Sequence, residues 1–484
     1  MTVKITKLNE THLKIDADDG IIREMARQFS FLVPNYQFMS KFRLGMWDGR
    51  IKLLHSQTKT MYAGLWEDVA KFCYDEKYDV SISSEFKQTE FSLVEAQKLV
   101  ASWNVKYEPR DYQYKAFVDA VRLGRATFLS PTASGKSFII FLLKKYFKDK
   151  KMLLVVPTIN LVNQMKSDFI EYDLNGEIEN DIQLVMGGKE KAVSKNLVIS
   201  TWQSIFEQPK KYFEQFDIVI VDEAHGAKSD SLVKIMERCT KAAHRYGFTG
   251  TLDGALANEM VIKGLFGPLR KIITTKALMD RGDIAQLNIK CIILNYKEET
   301  KKQIVKADYA SEMNWLFANK KRNKFVENLA LSLKGNSLLL FSRIDTHLVP
   351  FFEEIKSKTD IPVYMVHGGV DGDEREEIRK IVNKNKNSII IASFKTFSTG
   401  VNIPNLHNIV FVSPSKARIN ILQSIGRGLR NSEDKTSCTL YDICDDLSYK
   451  KWKNYTLKHF IERIKIYESE KFSFKQYQVL LEKD

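Results

Sequence analysis

The stretch that decides the fold is ATFLSPTASGKSFIIFLLKKYF, residues 126–147. An apolar run of strand type leads into a short loop that ends in Gly135-Lys136-Ser137, and an apolar run of helical length follows. A strand, a loop of this ending and a helix are the parts of a phosphate-binding loop, written G-x-x-x-x-G-K-[ST]. Ser130 stands where the first glycine of that pattern belongs. A Gly-Lys-Ser tripeptide also arises by chance, so the loop needs support from the rest of the chain.

The position of the loop gives its residues definite chemical roles. Backbone N–H groups at the start of the helix would face a phosphate, and the helix dipole would add to the attraction. Lys136 would reach the β- and γ-phosphates of ATP, and Ser137 would ligate Mg²⁺. The remaining loop residues expected to contact the nucleotide are Thr132, Ala133, Ser134 and Gly135.

Apolar runs on both sides of the loop predict two α/β lobes. The runs are short and nearly continuous, and helical stretches separate them, which is typical of parallel strands covered on both faces. The first series is 126–130, 151–157, 196–201, 216–222 and 244–250. The second series is 336–342, 361–368, 387–393, 407–413 and 437–443. Two series indicate two lobes, and the turn-forming Arg281-Gly282-Asp283 places the break near 280–296.

An acidic pair ends one of these strands, in FDIVIVDEAH at 216–225. Asp222 would lie at the carboxyl end of its strand, at the edge where ligands bind in α/β sheets. We expect Asp222 to hold Mg²⁺, and Glu223 to orient and deprotonate an attacking water. Helix capping also places acids at such positions. The upstream Gly-Lys-Ser loop favours the interpretation as a nucleotide site.

The third motif is QSIGRGLR at 423–430, near the end of the second series. Arg427 and Arg430 are three residues apart and are therefore expected on one side of a helix. Phosphoryl transfer spreads negative charge over the γ-phosphate oxygens, and an arginine brought from another lobe stabilises it. A surface ion pair is the alternative.

Residues 1–100 are richer in aromatic side chains and lack the α/β rhythm. In KFRLGMWDGRIKLL, residues 41–54, Asp48-Gly49 is a signal for a two-residue β-hairpin turn. The predicted hairpin has one apolar face, made of Phe42, Leu44, Met46, Ile51 and Leu53. The other face is basic and aromatic, made of Lys41, Arg43, Trp47, Arg50 and Lys52. Such a face suits a phosphate backbone and a stacked base, although an ordinary solvated face has the same composition.

Composition supports an anionic partner. The chain has 484 residues, with 74 Lys and Arg against 60 Asp and Glu, which gives a net charge of +14. An excess of this size favours a polyanion such as nucleic acid. The five cysteines are scattered without a C-x-x-C pair, so neither a disulfide framework nor a zinc site is expected. No apolar stretch approaches the roughly 18 residues of a membrane span, and we expect a cytoplasmic protein that does not bind a membrane.

Taken together, these motifs resemble those of superfamily 2 helicases of the DEAH type. The resemblance covers about 110–430 and rests on Asp222-Glu223-Ala224-His225, the Gly-Lys-Ser loop and Gln423-x-x-Gly426-Arg427-x-x-Arg430. It extends to Arg110-Asp111-Tyr112-Gln113, Pro157-Thr158, Thr201-Trp202-Gln203, Thr249-Gly250-Thr251, Phe341-Ser342-Arg343, His367-Gly368-Gly369 and the segment 398–404.

The resemblance implies two RecA-like lobes in tandem with a small N-terminal α+β domain, and an ATP site completed by both lobes. It implies that Arg110 and Gln113 contact the adenine, that Gly400 and Asn402 contact the nucleotide, and that Gln423 acts with the arginines. The residues implied to grip one nucleic-acid strand are Thr158, Thr201, Gln203, Arg343, His367, Gly368 and Thr399. Asn402 stands where many members of the family have aspartate, and Ser130 and Ala133 replace loop glycines.

Within the superfamily the chain is most similar to the recombination and repair helicases of T-even-like phages, including its segment 41–51. This implies ATP-driven branch migration and unwinding of forked or four-way DNA, displacement of RNA from RNA–DNA hybrids, a monomer, and action in the host cytoplasm. Two alternatives stay open: the translocase subunit of a restriction system, and a DNA-annealing protein with weak ATPase activity. The predicted domains are 1–100, 101–285 and 286–450, followed by a helical extension at 451–484.

Overall fold

The computed structural model describes residues 2–187, 191–227, 229–370, 372–396, 403, 405–430 and 435–481. The chain divides into two compact units. The first unit combines Met1–Ser130 with Gly135–Ile273, and the second combines Pro131–Ser134 with Thr274–Asp484. Among the described residues, no helix has the length and apolar character that crossing a membrane requires.

The first unit is built on a seven-stranded sheet in which every neighbouring pair of strands is parallel. From edge to edge its strands are Leu269–Lys271, Arg125–Leu129, His244–Thr249, Ile218–Asp222, Met152–Val156, Leu197–Thr201 and Ile182–Val185. The five inner strands are those that the sequence predicts. The two edge strands escape prediction because a short, half-exposed strand needs no continuous apolar run.

Burial on both faces explains the apolar runs of the inner strands. Side chains alternate between the two faces of a strand. Leu153 and Val155 accordingly belong to one apolar core, and Leu154 and Val156 belong to another. Helices cover both faces of the sheet, which is the arrangement that a parallel sheet requires.

Along the chain, the helices of the first unit alternate with its strands. The α-helices are Asp19–Gln28, Ser40–Arg43, Trp66–Asp75, Leu93–Ala101, Asp111–Leu123, Lys136–Tyr146, Ile159–Tyr172, Ile178–Asp181, Trp202–Ile205, Lys210–Phe213, Asp230–Arg238 and Leu256–Phe266. Short 3₁₀ turns lie at Tyr36–Phe38, Ala63–Leu65, Ser84–Phe86 and Ala224–Gly226.

The N-terminal region is a small α+β fold within the first unit. One sheet has the strand order Thr60–Tyr62, His12–Asp16, Thr2–Lys7, Asp79–Ile82, and a second sheet pairs Ser30–Leu32 with Arg50–Lys52. Arg245, at the start of a strand of the parallel sheet, is fully buried and donates to the backbone oxygens of Met236 and Cys239 at 2.7 and 2.8 Å. The same guanidinium donates to Thr11 Oγ1 at 3.4 Å, and this contact ties the small fold to the sheet.

The predicted hairpin at 41–54 is wrong. Only Arg50–Lys52 is a strand, and it pairs with Ser30–Leu32 instead of with residues 41–47. Ser40–Arg43 is a short helix, and Gly45, two residues after its end, has a φ of +68°. The Met46 N–H donates to the Lys41 oxygen, and the Gly45 N–H donates to the Phe42 oxygen, a closure typical of helix ends with a left-handed glycine. The predicted apolar face is therefore not buried as a set, since Leu44 and Met46 are exposed.

The second unit contains another seven-stranded sheet with parallel neighbours. From edge to edge its strands are Val363–Val366, Ile389–Ser393, Ser337–Phe341, Asn408–Phe411, Ser437–Asp446, Gln286–Asn295 and Phe474–Leu480. The α-helices are Thr275–Asp280, Glu298–Ile304, Tyr309–Ala318, Lys320–Ser332, Val349–Lys356, Gly372–Lys384, Arg418–Gly428 and Tyr455–Ser469, and a π-helical turn spans Ile344–Leu348. The two parallel sheets and the small α+β fold confirm the predicted fold class.

The end of the chain differs from prediction. Tyr455–Ser469 is the expected helix, but Phe474–Leu480 is a strand that pairs with Gln286–Asn295. A wholly helical extension at 451–484 is therefore wrong, because this segment supplies an edge strand of the second sheet. The partner strand, Gln286–Asn295, lies in the stretch that the sequence suggests as a break between lobes. The four-domain division stays a prediction.

Candidate nucleotide and nucleic-acid sites

The phosphate loop, which follows the strand Arg125–Leu129, has the backbone of a tight anion-binding turn. Ala133 and Gly135 have φ values of +65° and +78°, and the helix begins at Lys136. A side chain at 135 would place its Cβ 2.3 Å from Gln113 Nε2, so this position requires glycine. Ala133 adopts a left-handed conformation that costs a non-glycine residue about 1–2 kcal/mol. Such strain clusters at functional loops.

The two polar side chains at the start of this helix already have partners. Lys136 Nζ donates to the Ser130 carbonyl oxygen at 3.4 Å, so the lysine folds back toward its own loop. Ser137 Oγ lies 2.8 Å from the hydroxyl of Tyr172. Tyr172 is held against Phe138, with ring centroids 4.9 Å apart. The Ser137 hydroxyl is thus positioned by an aromatic cluster, which sequence inspection does not reveal.

Gln113, the residue expected to contact adenine, is buried beside the loop. Its Oε1 accepts a hydrogen bond from the Arg110 backbone N–H at 2.9 Å. Arg110 Nη1 donates to the Tyr112 hydroxyl at 2.9 Å. These bonds fix the orientation of the amide and place the predicted adenine contact next to the phosphate loop.

The acidic pair sits at the carboxyl end of its strand, as predicted. Asp222 is buried, and this burial raises the pKa of its carboxyl group to about 6, against the opposing effect of the Lys136 ammonium. Glu223 has a φ of +56° and donates its backbone N–H to Asp222 Oδ1 at 3.0 Å. The chain therefore turns sharply at Glu223.

His225 connects the acidic pair to the end of the neighbouring strand. Its Nδ1 lies 3.0 Å from Thr249 Oγ1 and 3.2 Å from Glu223 Oε2. Thr249 belongs to Thr249-Gly250-Thr251, one of the segments to which the helicase resemblance extends. A chain of contacts thus links Glu223 to Thr249 through one imidazole ring.

A cavity of about 470 Å³ lies at the same edge of the first sheet. Its lining includes three predicted nucleic-acid contacts, Thr158, Thr201 and Gln203, together with Pro157, Ile159, Gly187, Lys191 and Ser204. Thr158 caps the helix Ile159–Tyr172, accepting from the Leu161 N–H at 3.4 Å. Backbone N–H groups at such a helix start bind phosphate. Lys191 adds a cation that belongs to no motif and that the sequence analysis missed.

In the second unit, the helix Arg418–Gly428 carries Gln423 and Arg427 four residues apart, and therefore on one face. Arg430 lies beyond the end of this helix, so the prediction that both arginines share a helix face is wrong. Lys435, whose pKa burial lowers to about 8, donates through Nζ to the carbonyl oxygens of Gly428 and Arg430. Lys435 thereby fixes the segment that leads from Arg427, on the helix, to Arg430, beyond the end of the helix.

The start of the same helix is held by the C-terminal helix Tyr455–Ser469. Arg418 is paired with Glu470 and donates through Nη1 to Ser469 Oγ at 3.0 Å. The buried Arg463 donates to the Ser415 oxygen at 2.9 Å and pairs with Asp442 at 2.7 Å. Sequence patterns give no signal for this support, because it depends on residues far apart in the chain.

A second cavity, of about 570 Å³, lies in the second unit. The predicted contact Gly368 lines it, whereas Arg343 and His367 do not. The other lining residues are Phe341, Ser342, Ile344, Arg375, Ser393, Phe394, Lys395, Thr396, Pro414, Ser415 and Asn420. Arg375 and Lys395 are cations that the sequence analysis missed. Thr399, Gly400 and Asn402 lie outside the described residues.

Two parallel sheets that carry a phosphate loop, an acidic pair and an arginine-bearing helix define the chain as a superfamily 2 helicase. Family models match it as the res subunit of type III restriction enzymes at 106–254, the N-terminal domain of DNA helicase UvsW at 2–83, and the conserved C-terminal helicase domain at 320–432. The ATP-dependent DNA helicase UvsW of Enterobacteria phage T4 is 33% identical over 98% of this chain and 99% of its own. The chain belongs to the UvsW family of helicases.

Solved structures agree with this assignment. The crystal structure of T4 UvsW matches with a TM-score of 0.52 and 32% identity, covering 100% of both chains. A fragment of a putative HsdR subunit of a type I restriction enzyme from Vibrio vulnificus matches with a TM-score of 0.59 and 16% identity, over 97% of this chain and 85% of that one. At this identity the second likeness shows the fold alone.

Proposed function

We propose that this ATP-dependent DNA helicase remodels branched DNA, migrating or unwinding forks and four-way junctions. The observation that supports this most is the convergence of functional residues at one edge of the first sheet. Because the strands are parallel, their carboxyl ends bring Lys136 and Asp222 to the edge that also holds the cavity beside Thr158 and Thr201. ATP chemistry and strand contact thus share one rigid frame.

In the proposed ATP site, Lys136 neutralises the phosphates and Gln113 contacts the adenine. Glu223 accepts a proton from the attacking water. Asp222 and Ser137 supply the oxygen ligands that Mg²⁺ prefers, and the bound ion would neutralise charge on the phosphate oxygens. A carboxylate and a hydroxyl next to the phosphate loop fit this ion, and the raised pKa of Asp222 reflects a buried charge that a cation would compensate.

The second unit contributes positive charge to the reaction in this proposal. Arg427, with Gln423 on the same helix face, stabilises the charge that develops on the γ-phosphate. Arg430 acts from the segment after the helix, at a position fixed by Lys435. Bound ATP favours the conformation in which residues of both units contact the nucleotide, and hydrolysis allows the protein to leave that conformation.

Strand contacts are proposed at both cavities. Thr158, Thr201, Gln203 and Lys191 would bind the sugar-phosphate backbone in the first unit, and Gly368, Arg375 and Lys395 would bind it in the second. Contacts of this type are largely blind to sequence, which suits a motor that moves along any DNA. Arg343, His367 and Thr399 remain proposed contacts on the strength of the family resemblance.

The substrate preference is tested with a panel of forks, four-way junctions, RNA–DNA hybrids and linear duplexes, each with and without ATP. We expect ATP-dependent conversion of the forks and junctions, and slower conversion of the linear duplex. Equal rates on branched and linear DNA would contradict the preference for branched DNA but would leave the assignment as a helicase unchanged.

The proposal also includes the host cytoplasm as the place of action and a monomer as the working form.

A further inference from the structure

The N-terminal tip, residues 36–50, presents large apolar side chains to solvent. Phe38, Leu44 and Met46 are 65%, 71% and 74% exposed. Exposed apolar side chains concentrated in one short segment of the chain mark an interaction site more often than singly scattered ones do. The sequence predicts that Leu44 and Met46 belong to a buried hairpin face, so their exposure is a property that only the structure reveals.

The tip is held in shape by internal contacts. The rings of Tyr36 and Phe42 pack edge to face with centroids 4.7 Å apart. Gly49 lies so close to Tyr36 that an added Cβ would come within 2.5 Å of its ring. Trp47 Nε1 donates to the Arg50 oxygen at 2.8 Å. The exposed apolar side chains are therefore displayed by an ordered frame that pays little conformational entropy on binding.

Cationic residues alternate with these apolar residues along the tip. Between residues 36 and 52 the chain has four cationic residues, Lys41, Arg43, Arg50 and Lys52, and one acidic residue, Asp48. Lys52 is paired with Asp48 at 2.8 Å. Lys41, Arg43 and Arg50 are exposed; Arg43 Nε donates to the Gln37 oxygen at 3.4 Å and Arg50 Nη1 donates to the Ser30 oxygen at 2.9 Å, bonds to neutral carbonyls that leave both positive charges uncompensated. The fitting partner offers apolar faces and negative charge together, as unpaired nucleobases on a phosphate backbone do.

We propose that Phe38, Leu44 and Met46 form a wedge that inserts between unstacked bases at a DNA branch point, while Lys41, Arg43 and Arg50 hold the flanking phosphates. Phe, Leu and Met are side chains that proteins insert between base steps. The tip belongs to the same compact unit as Lys136, Asp222 and the residues that line the first strand cavity, which favours DNA over an unrelated partner. This inference rests on the proposed function and deepens it, because it names the part that recognises the branch.

The test replaces all three residues, as Phe38→Ser, Leu44→Ser and Met46→Ser, in the full chain. The matched control is Leu8→Ser, Tyr74→Ser and Leu174→Ser, three exposed apolar residues of the same unit outside the tip. The substrate is a four-way junction with 2-aminopurine at the branch point, whose fluorescence rises on unstacking. ATPase activity stimulated by single-stranded DNA is measured in parallel.

The wedge variant should lose about tenfold or more of the junction conversion rate, since loss of the base stacking on Phe38 alone is expected to have an effect of about this size. It should also lose the rise in 2-aminopurine fluorescence, and both the ATPase activity and the control variant should stay near wild type. An unchanged fluorescence rise would overturn the wedge. So would loss of binding to phosphatidylglycerol vesicles with junction conversion intact, because the tip would then be a membrane contact. Wild-type protein without DNA-stimulated ATPase activity would overturn the proposed function instead.

Discussion

The two parallel sheets share one architecture but hold their functional residues by different means. Around the first sheet, the candidate nucleotide residues stand beside strained backbone, with left-handed φ values at Ala133 and Glu223 in loops that follow buried strands. In the second unit, the arginine-bearing helix has regular backbone and is held by buried charges, among them Lys435 and Arg463. A loop that binds phosphate through its backbone N–H groups must approach the phosphate closely. An arginine that acts through a long side chain instead needs a helix whose position is fixed.

Removing the arginine itself should have the largest effect. Arg427→Ala is expected to lower the DNA-stimulated ATP hydrolysis rate about 10³-fold, because an arginine of this role contributes 10³–10⁵ in rate. ATP affinity, measured with a fluorescent analogue, should change much less, since Lys136 and Gln113, the proposed phosphate and adenine contacts, are left in place. Arg427→Lys is the control, and it should remain impaired because lysine lacks the planar fork. Full activity in Arg427→Ala would show that Arg427 takes no part in ATP hydrolysis.

The substitution Glu223→Gln tests whether Glu223, which stands on strained backbone, acts as the general base. We expect hydrolysis to fall about 10²–10⁴-fold, the usual contribution of a general base, while ATP stays bound and the protein accumulates in its ATP-bound form. Filter binding of labelled ATP in single-turnover reactions measures this. Turnover within about twofold of wild type would show that another group activates the water.

Substitution of Lys435 tests whether a buried charged group contributes to the stability of the second unit. Burial holds the pKa of Lys435 at about 8, below its ordinary value of 10.5. Between these pH values the unfolded chain binds the proton and the folded chain does not, so this group makes the free energy of unfolding rise with pH, by at most about 1.4 kcal/mol per unit. Lys435→Met should flatten the pH dependence between about 8 and 10.5. Identical slopes in urea unfolding of both proteins would contradict the assignment.

The smallest effect is expected at Tyr172. Its hydroxyl lies 2.8 Å from Ser137 Oγ, which competes with metal ligation by that oxygen. Tyr172→Phe should lower the Mg²⁺ concentration needed for nucleotide binding by less than about tenfold, because one hydrogen bond contributes ~0.5–1.5 kcal/mol. Titration of Mg²⁺ with a fluorescent ADP analogue measures the shift. A higher Mg²⁺ requirement would mean that Tyr172 orients Ser137 for the metal.

The sequence predicts nine of the ten inner strands and the edge strand Val363–Val366, because continuous apolar runs record burial within a sheet, and it misses the inner strand Gln286–Asn295. It predicts the acidic pair at a strand end for the same reason. These inferences depend on neighbours in the chain, and local patterns carry that information. The family resemblance adds roles for residues such as Gln113, whose place beside the loop the structure then shows.

The remaining features depend on contacts between distant parts of the chain. Asp48-Gly49 signals a turn, but the strand Arg50–Lys52 pairs with Ser30–Leu32, which no local pattern specifies. The strand Phe474–Leu480 is a half-exposed edge strand whose partner, Gln286–Asn295, comes almost two hundred residues earlier. Lys191 and Lys395 belong to no motif, and only folding brings each of them to a cavity.

The most direct test of the account is the ATP-dependent conversion of a four-way junction by the wild-type protein and by Lys136→Ala, measured side by side. The account predicts conversion by the wild-type protein, and neither conversion nor ATP hydrolysis above background by the variant, although the variant still binds the junction. Junction conversion by Lys136→Ala at the wild-type rate would show that the energy for remodelling DNA does not come from this phosphate loop.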